Sequence, residues 1–161
     1  MTPLTLRSED ARVAYLATVY HLGRPGAEVD RETRRDEGTG LRTVSEALHA
    51  GMARAVVEVD LTPYQVTRLG EALAGLANEM KQYGIAGGRT AVPGLAVAMR
   101  EVFPDVAADP GLALDVVQHV VMLRNRLAHT VEAARAEMAR EAAERAAARK
   151  AAKKPWQIWK R

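Results

Sequence analysis

The chain has 161 residues, of which 48% are apolar, 27% are charged and only 4% are aromatic, a composition typical of one compact globular domain. It contains no cysteine, which excludes disulfide frameworks, thiolate zinc sites, iron–sulfur clusters and cysteine nucleophiles. No apolar run approaches the roughly 20 residues of a membrane-spanning helix, and the first residues lack the pattern of a signal peptide, so we expect a cytoplasmic protein.

The net charge of +3 is unevenly distributed along the chain. Seven cations and no acidic residue lie from Arg145 to Arg161, which leaves the rest of the chain mildly acidic. Phosphate groups attract a basic segment of this kind. The C-terminal segment is therefore predicted to contact nucleic acid or an anionic membrane surface.

The first predicted helix covers residues 9–22. Ser8 fits a helix N-cap, and Glu9 and Asp10 suit the first turn because the helix dipole favours acids there. Apolar residues then recur at helical spacing until Gly23. Residues 23–40 combine four glycines with many charges and few apolar side chains, so we expect a mobile surface loop.

Residues 41–61 give a mixed pattern. The apolar spacing favours a helix from Leu41 to about Ala55. The segment from Val57 to Leu61 alternates between apolar and acidic residues, as a strand does, and a short β element near 56–61 is therefore left open.

A second strong helix signal begins at Thr62. Thr62 and Gln65 form the sequence pattern of a capping box, and Pro63 occupies the first helical position. The helix is predicted to end at Gly84. Its apolar residues follow alternating steps of three and four and predict a buried seam: Val66, Leu69, Leu73, Leu76, Met80 and Tyr83.

Two further helices are predicted after a glycine-rich connection at 84–94. That connection lacks the Gly-Lys-Ser/Thr ending of a phosphate-binding loop, which favours an ordinary turn. A short helix runs from Leu95 to Phe103 and ends at Pro104. Asp109 and Pro110 fit the start of a long helix that continues to about Lys154.

Together these elements predict an all-α fold, a bundle of four to five helices with a long C-terminal helix. We expect the bundle domain to span residues 1–131. Residues 132–161 are alanine-rich and charged and have no sustained apolar stripe. They are therefore predicted to form a projecting basic helical tail.

No metal or cofactor site is predicted. None of the four histidines has a second histidine at the spacing of an H-E-x-x-H zinc site. On a helical wheel, Arg124 falls in the middle of an apolar arc that runs from Leu123 to Ala128, whereas Asn125 and His129 share another face. On one straight helix the side chains of Arg124 and His129 point in different directions. A second copy of the chain, or a kink in the helix, would bring them together.

The segment Arg-Asn-Arg-Leu-Ala-His at 124–129 resembles the R-x4–6-H motif of the HEPN superfamily. The resemblance implies a small helical bundle, typically dimeric, that acts as a metal-independent ribonuclease in a toxin or antiphage system. It also implies that Arg124 stabilises negative charge on the reacting phosphorus, that Asn125 orients the site and that His129 is the general base or acid. Val131 stands where one toxin subgroup of the superfamily has a tyrosine.

The implied chemistry agrees with the residue types. Metal-free RNA cleavage needs a proton acceptor that works near neutral pH, which histidine provides, and a permanent cation, which arginine provides. Arg42 and His49, with six residues between them, also match the R-x4–6-H pattern. The structural alternative is that Arg124 pairs with an acid at the edge of the core and that His129 is an ordinary surface histidine.

The basic tail mixes cations with two tryptophans, the combination that stacks on unpaired bases and contacts phosphates. A frayed terminus, a membrane interface or a partner groove would suit the same residues. The predicted nucleic-acid-binding residues are Arg145, Arg149, Lys150, Lys153, Lys154, Trp156, Trp159, Lys160 and Arg161.

Two functions therefore remain open from the sequence. The first is a HEPN-like ribonuclease or RNA-binding protein whose expected partners are RNA and, in a homodimer, a second copy of itself. The second is a non-catalytic helical interaction module whose basic tail binds nucleic acid or a larger phage or plasmid assembly.

Overall fold

The protein is mostly helical, as the sequence predicts. The structure is a computed structural model and describes residues 2–24 and 40–153. Most of the loop predicted at 23–40, and the chain after residue 153, lie outside the described residues. The elements are β1 (Thr2–Arg7), α1 (Ser8–Gly23), α2 (Leu41–Gly51), β2 (Val56–Leu61), α3 (Pro63–Ile85), α4 (Leu95–Val102), α5 (Pro104–Ala108), a 3-10 turn (Pro110–Leu112) and α6 (Ala113–Lys153).

The two strands form a small antiparallel sheet that the sequence predicts only in part. The element near 56–61 is confirmed as β2, whereas β1 was not predicted. Arg7 pairs with Val56 at one end of the sheet and Thr2 with Leu61 at the other. The Ser8 backbone N–H donates to the Ala55 carbonyl at 3.1 Å and joins the sheet to the start of α1. The N-cap of α1 is therefore Arg7, and Ser8 is already helical.

Helix α2 ends at Gly51, four residues before the predicted end. A Cβ atom at Gly51 would approach Cγ1 of Val57 to 2.7 Å, so the helix end lies directly against β2. The chain leaves the helix here because residues 56–61 pair with β1.

The predicted capping box and seam of α3 are confirmed. The Gln65 backbone N–H donates to Thr62 Oγ1 at 3.2 Å, and the Thr62 backbone N–H donates to Gln65 Oε1 at 2.9 Å. All six apolar residues of the predicted seam are buried. Helix α1 packs against α2, α3 and α4, which places α1 at the centre of this core.

The chain divides into two compact units, one ending at Leu127 and the other beginning at Ala128, within the 41 residues of α6. In the first unit, residues of α6 at spacings of three and four are buried: Ala113, Val116, Val120, Leu123 and Leu127. In the second unit, every side chain whose exposure is described is exposed except the half-buried Val131. Among the described residues, no helix combines the length and apolar character that crossing a bilayer requires.

Candidate functional site

Arg124 lies in the first unit on a well-anchored stretch of α6. Its neighbours Leu123 and Leu127 are buried, whereas the Arg124 side chain itself is exposed. Within the described ranges, Arg124 forms no hydrogen bond or ion pair. The Arg124 side chain is therefore not buried, although it falls within the apolar arc of the helix, and no acid among the described residues neutralises its guanidinium.

Asn125 and Arg126 face a different part of the first unit. Arg126 Nη2 lies 2.6 Å from Asp10 Oδ1 near the start of α1, and Asp10 is only 14% exposed. This ion pair fixes α6 beside the N-terminus of α1. Residues two positions apart on a helix diverge by about 200°, which is why Arg124 and Arg126 have different surroundings.

A cleft of about 420 Å³ lies between this ion pair and the end of β1. The junction of β1 with α1 contributes Arg7, Glu9 and Asp10 to its wall. Helix α6 contributes His119, Met122, Asn125 and Arg126. The cleft therefore contains cations, carboxylates, an amide and one apolar side chain.

His129 lies in the second unit and is 82% exposed. Its Nδ1 atom is 3.9 Å from Glu132 Oε2, one helical turn further along. The ring is accessible from solvent.

The second match to the R-x4–6-H pattern, Arg42 and His49, has a different environment. His49 Nε2 lies 2.7 Å from Glu101 Oε1, which joins α2 to α4. The His49 ring also lies 5.1 Å from the Tyr15 ring, centroid to centroid. Partial burial, and then the nearby Glu101 carboxylate, raise the pKa of Tyr15 above its ordinary value of 10.0. His49 thus holds two helices together.

The predicted nucleic-acid-binding residues are described only in part. Arg145 and Arg149 are exposed, and Arg145 Nη2 donates to Glu141 Oε2 at 3.1 Å, an i,i+4 ion pair along the helix surface. Lys150 and Lys153 belong to α6, but their side chains are not among those described. The remaining predicted residues lie outside the described residues: Lys154, Trp156, Trp159, Lys160 and Arg161.

Several residues of the cleft were not singled out from the sequence. Arg7 and His119 lie far apart in the chain, and Met122 is 64% exposed. No local spacing links β1 to α6, so only the packing of α6 beside α1 reveals the cleft. Over the ranges that the structure covers, no three His, Cys, Asp or Glu side chains are grouped to hold a metal ion.

No protein-family model matches the chain, and neither a curated protein nor a solved structure matches it. The resemblance to the HEPN superfamily consequently depends on residues 124–129 and on the helical fold.

Proposed function

We propose that the protein is a metal-independent ribonuclease of the HEPN type, with Arg124, Asn125 and His129 as its functional residues. The observation that supports the proposal best is the exposed Arg124 guanidinium, which no carboxylate neutralises among the described residues. An arginine held by buried neighbours and left free of acids is suited to an anionic ligand such as a phosphodiester.

The chemistry needs no redox step or cofactor. The imidazole of His129 accepts the proton of a ribose 2′-hydroxyl while the 2′-oxygen forms a bond to phosphorus. The bond from phosphorus to the 5′-oxygen breaks, the leaving oxygen takes a proton from water, and the imidazolium of His129 returns its proton to the solvent. Arg124 stabilises the charge that builds on the phosphoryl oxygens. The products end in a 2′,3′-cyclic phosphate and a 5′-hydroxyl.

A second copy of the chain is part of this proposal. Leu114 and Val121 are exposed apolar residues that share a face of α6, and Asn125 lies on the same face. Exposed apolar residues of this kind favour a protein interface. A homodimer formed there would cover them and place the second copy beside Asn125.

The ribonuclease proposal is tested by incubating the protein with structured RNA in excess chelator and analysing the new ends. We expect 2′,3′-cyclic phosphate ends from the unmodified chain. His129→Ala should lower the rate at least about a hundredfold, because general acid–base catalysis contributes that much or more.

The matched control is His49→Ala, which removes a histidine that joins α2 to α4 instead. It should cut RNA at the rate of the unmodified chain at a temperature where it is folded. Cleavage that persists unchanged in His129→Ala would refute the assignment of His129.

The non-catalytic interaction module remains a second candidate, favoured by the seven cations from Arg145 to Arg161. It predicts RNA binding that deletion of residues 145–161 abolishes and that falls steeply with salt, without any cleavage. Binding that survives this deletion and is insensitive to salt would contradict it.

A further inference from the structure

We propose that the cleft between the β1–α1 junction and α6 is a nucleotide-specificity site that holds a guanosine nucleotide of the RNA. The inference rests on the proposed function, since it names the substrate feature that the same surface would recognise. All residues that line the cleft belong to the first unit. Its volume of about 420 Å³ lies within the range of small-molecule sites.

The carboxylates of the cleft have different roles. Asp10 is largely buried and is paired with Arg126 at 2.6 Å, so it holds α6 in place. Glu9 is 77% exposed, and its nearest ionic neighbour is His119 at 3.8 Å. That separation is too long for a hydrogen bond, so Glu9 can accept hydrogen bonds from a ligand.

A free carboxylate selects among the four bases of RNA. It only accepts hydrogen bonds, and its two oxygens suit a ligand with two adjacent N–H donors. Guanine presents such a pair, N1–H and the 2-amino group, on its Watson–Crick edge. Adenine, cytosine and uracil do not present two adjacent N–H donors there, so Glu9 favours guanine.

The other groups of the cleft complement the rest of a nucleotide. The exposed Met122 offers an apolar surface to the face of a base. Asn125 supplies an amide donor, and the exposed Arg7 supplies a cation for a phosphate. Asn125 is also a residue of the proposed reaction site, so a base in this cleft would belong to a nucleotide near the cleaved bond.

The experiment is calorimetric titration of the full chain, in chelator, with the 3′-monophosphates of guanosine, adenosine, cytidine and uridine. We expect guanosine 3′-monophosphate to bind about tenfold more tightly than the other three, as one bidentate contact would give. Glu9→Gln should remove this preference, because its amide places an N–H group against the donors of guanine. The matched control Glu58→Gln changes an exposed carboxylate of β2 and should keep the preference.

Equal binding of the four nucleotides, no saturable binding, or a preference unchanged in Glu9→Gln would overturn the assignment. Cleavage is scored separately with the same samples. A chain that cuts RNA but binds the four nucleotides equally would contradict the guanosine preference of the cleft and leave the ribonuclease proposal standing. A chain that prefers guanosine 3′-monophosphate without cutting RNA would contradict the ribonuclease and leave the specificity of the cleft standing.

Discussion

The two arginines of the 124–129 segment have opposite roles in the structure. Arg126 pairs at 2.6 Å with the largely buried Asp10, so removal of its guanidinium leaves a poorly hydrated carboxylate without this partner. Arg124 is exposed and contributes no such contact within the described residues. Stability therefore depends on Arg126, and Arg124 remains available for a ligand.

This difference predicts distinct effects of two matched substitutions. Arg126→Ala should lower the free energy of unfolding by roughly 1 to 2 kcal/mol, the cost of a charged hydrogen bond at a partly buried site. Arg124→Ala should change it by less than about 0.5 kcal/mol, as expected of an exposed surface residue. Urea denaturation measures both values. Equal destabilisation by the two variants would show that Arg124 is a structural residue.

The pKa of Tyr15 predicts a pH dependence. Because the pKa is raised in the folded state, the contribution of Tyr15 to stability is fully present below the unfolded-state value of 10.0. It is lost as the pH rises through the raised pKa, since the folded protein then has to accept a charged phenolate. An absorbance titration should show a late tyrosine phase that disappears in Tyr15→Phe. A late phase that persists in Tyr15→Phe would contradict this assignment.

At the scale of elements, local signals predict α3 best. Its capping box and its apolar seam lie within a few residues of each other, and both are observed. Strand β1 and the end of α2 were not predicted correctly, because both depend on pairing between residues 2–7 and 56–61. The cleft was also not predicted, because it depends on contacts between residues far apart in the sequence. The elements β1, α1 and α6 come together only in the folded chain.

Two glycines of α3 look alike in the sequence pattern but have different surroundings in the folded protein. A Cβ atom at Gly75 would collide with the Tyr20 ring of α1, whereas one at Gly70 would meet nothing within 4 Å. Gly75→Ala should therefore destabilise the protein by about 1 to 3 kcal/mol through overpacking. Gly70→Ala should stabilise it by up to about 1 kcal/mol, because alanine is the better helix former. Thermal denaturation of both variants tests the prediction, which a stabilising Gly75→Ala would contradict.

For the whole molecule, the sequence alone predicts the fold class. It supports the function only as a proposal that experiments have to test. Helical periodicity, caps and glycine positions define an all-α chain with a long last helix. The proposed reaction site depends on a second copy of the chain, and the helical periodicity of one sequence does not describe contacts between two copies. The exposed face with Leu114, Val121 and Asn125 is the structural reason to expect that copy.

The most direct test of a reaction site shared between two copies mixes two inactive variants, Arg124→Ala and His129→Ala, under conditions that allow subunits to exchange. If Arg124 of one copy acts with His129 of the other, each mixed dimer retains one intact site out of two. Half of the dimers are mixed at equal concentrations, so the mixture should recover about a quarter of the wild-type cleavage rate. A mixture that stays as inactive as its two components would contradict a reaction site shared between two copies.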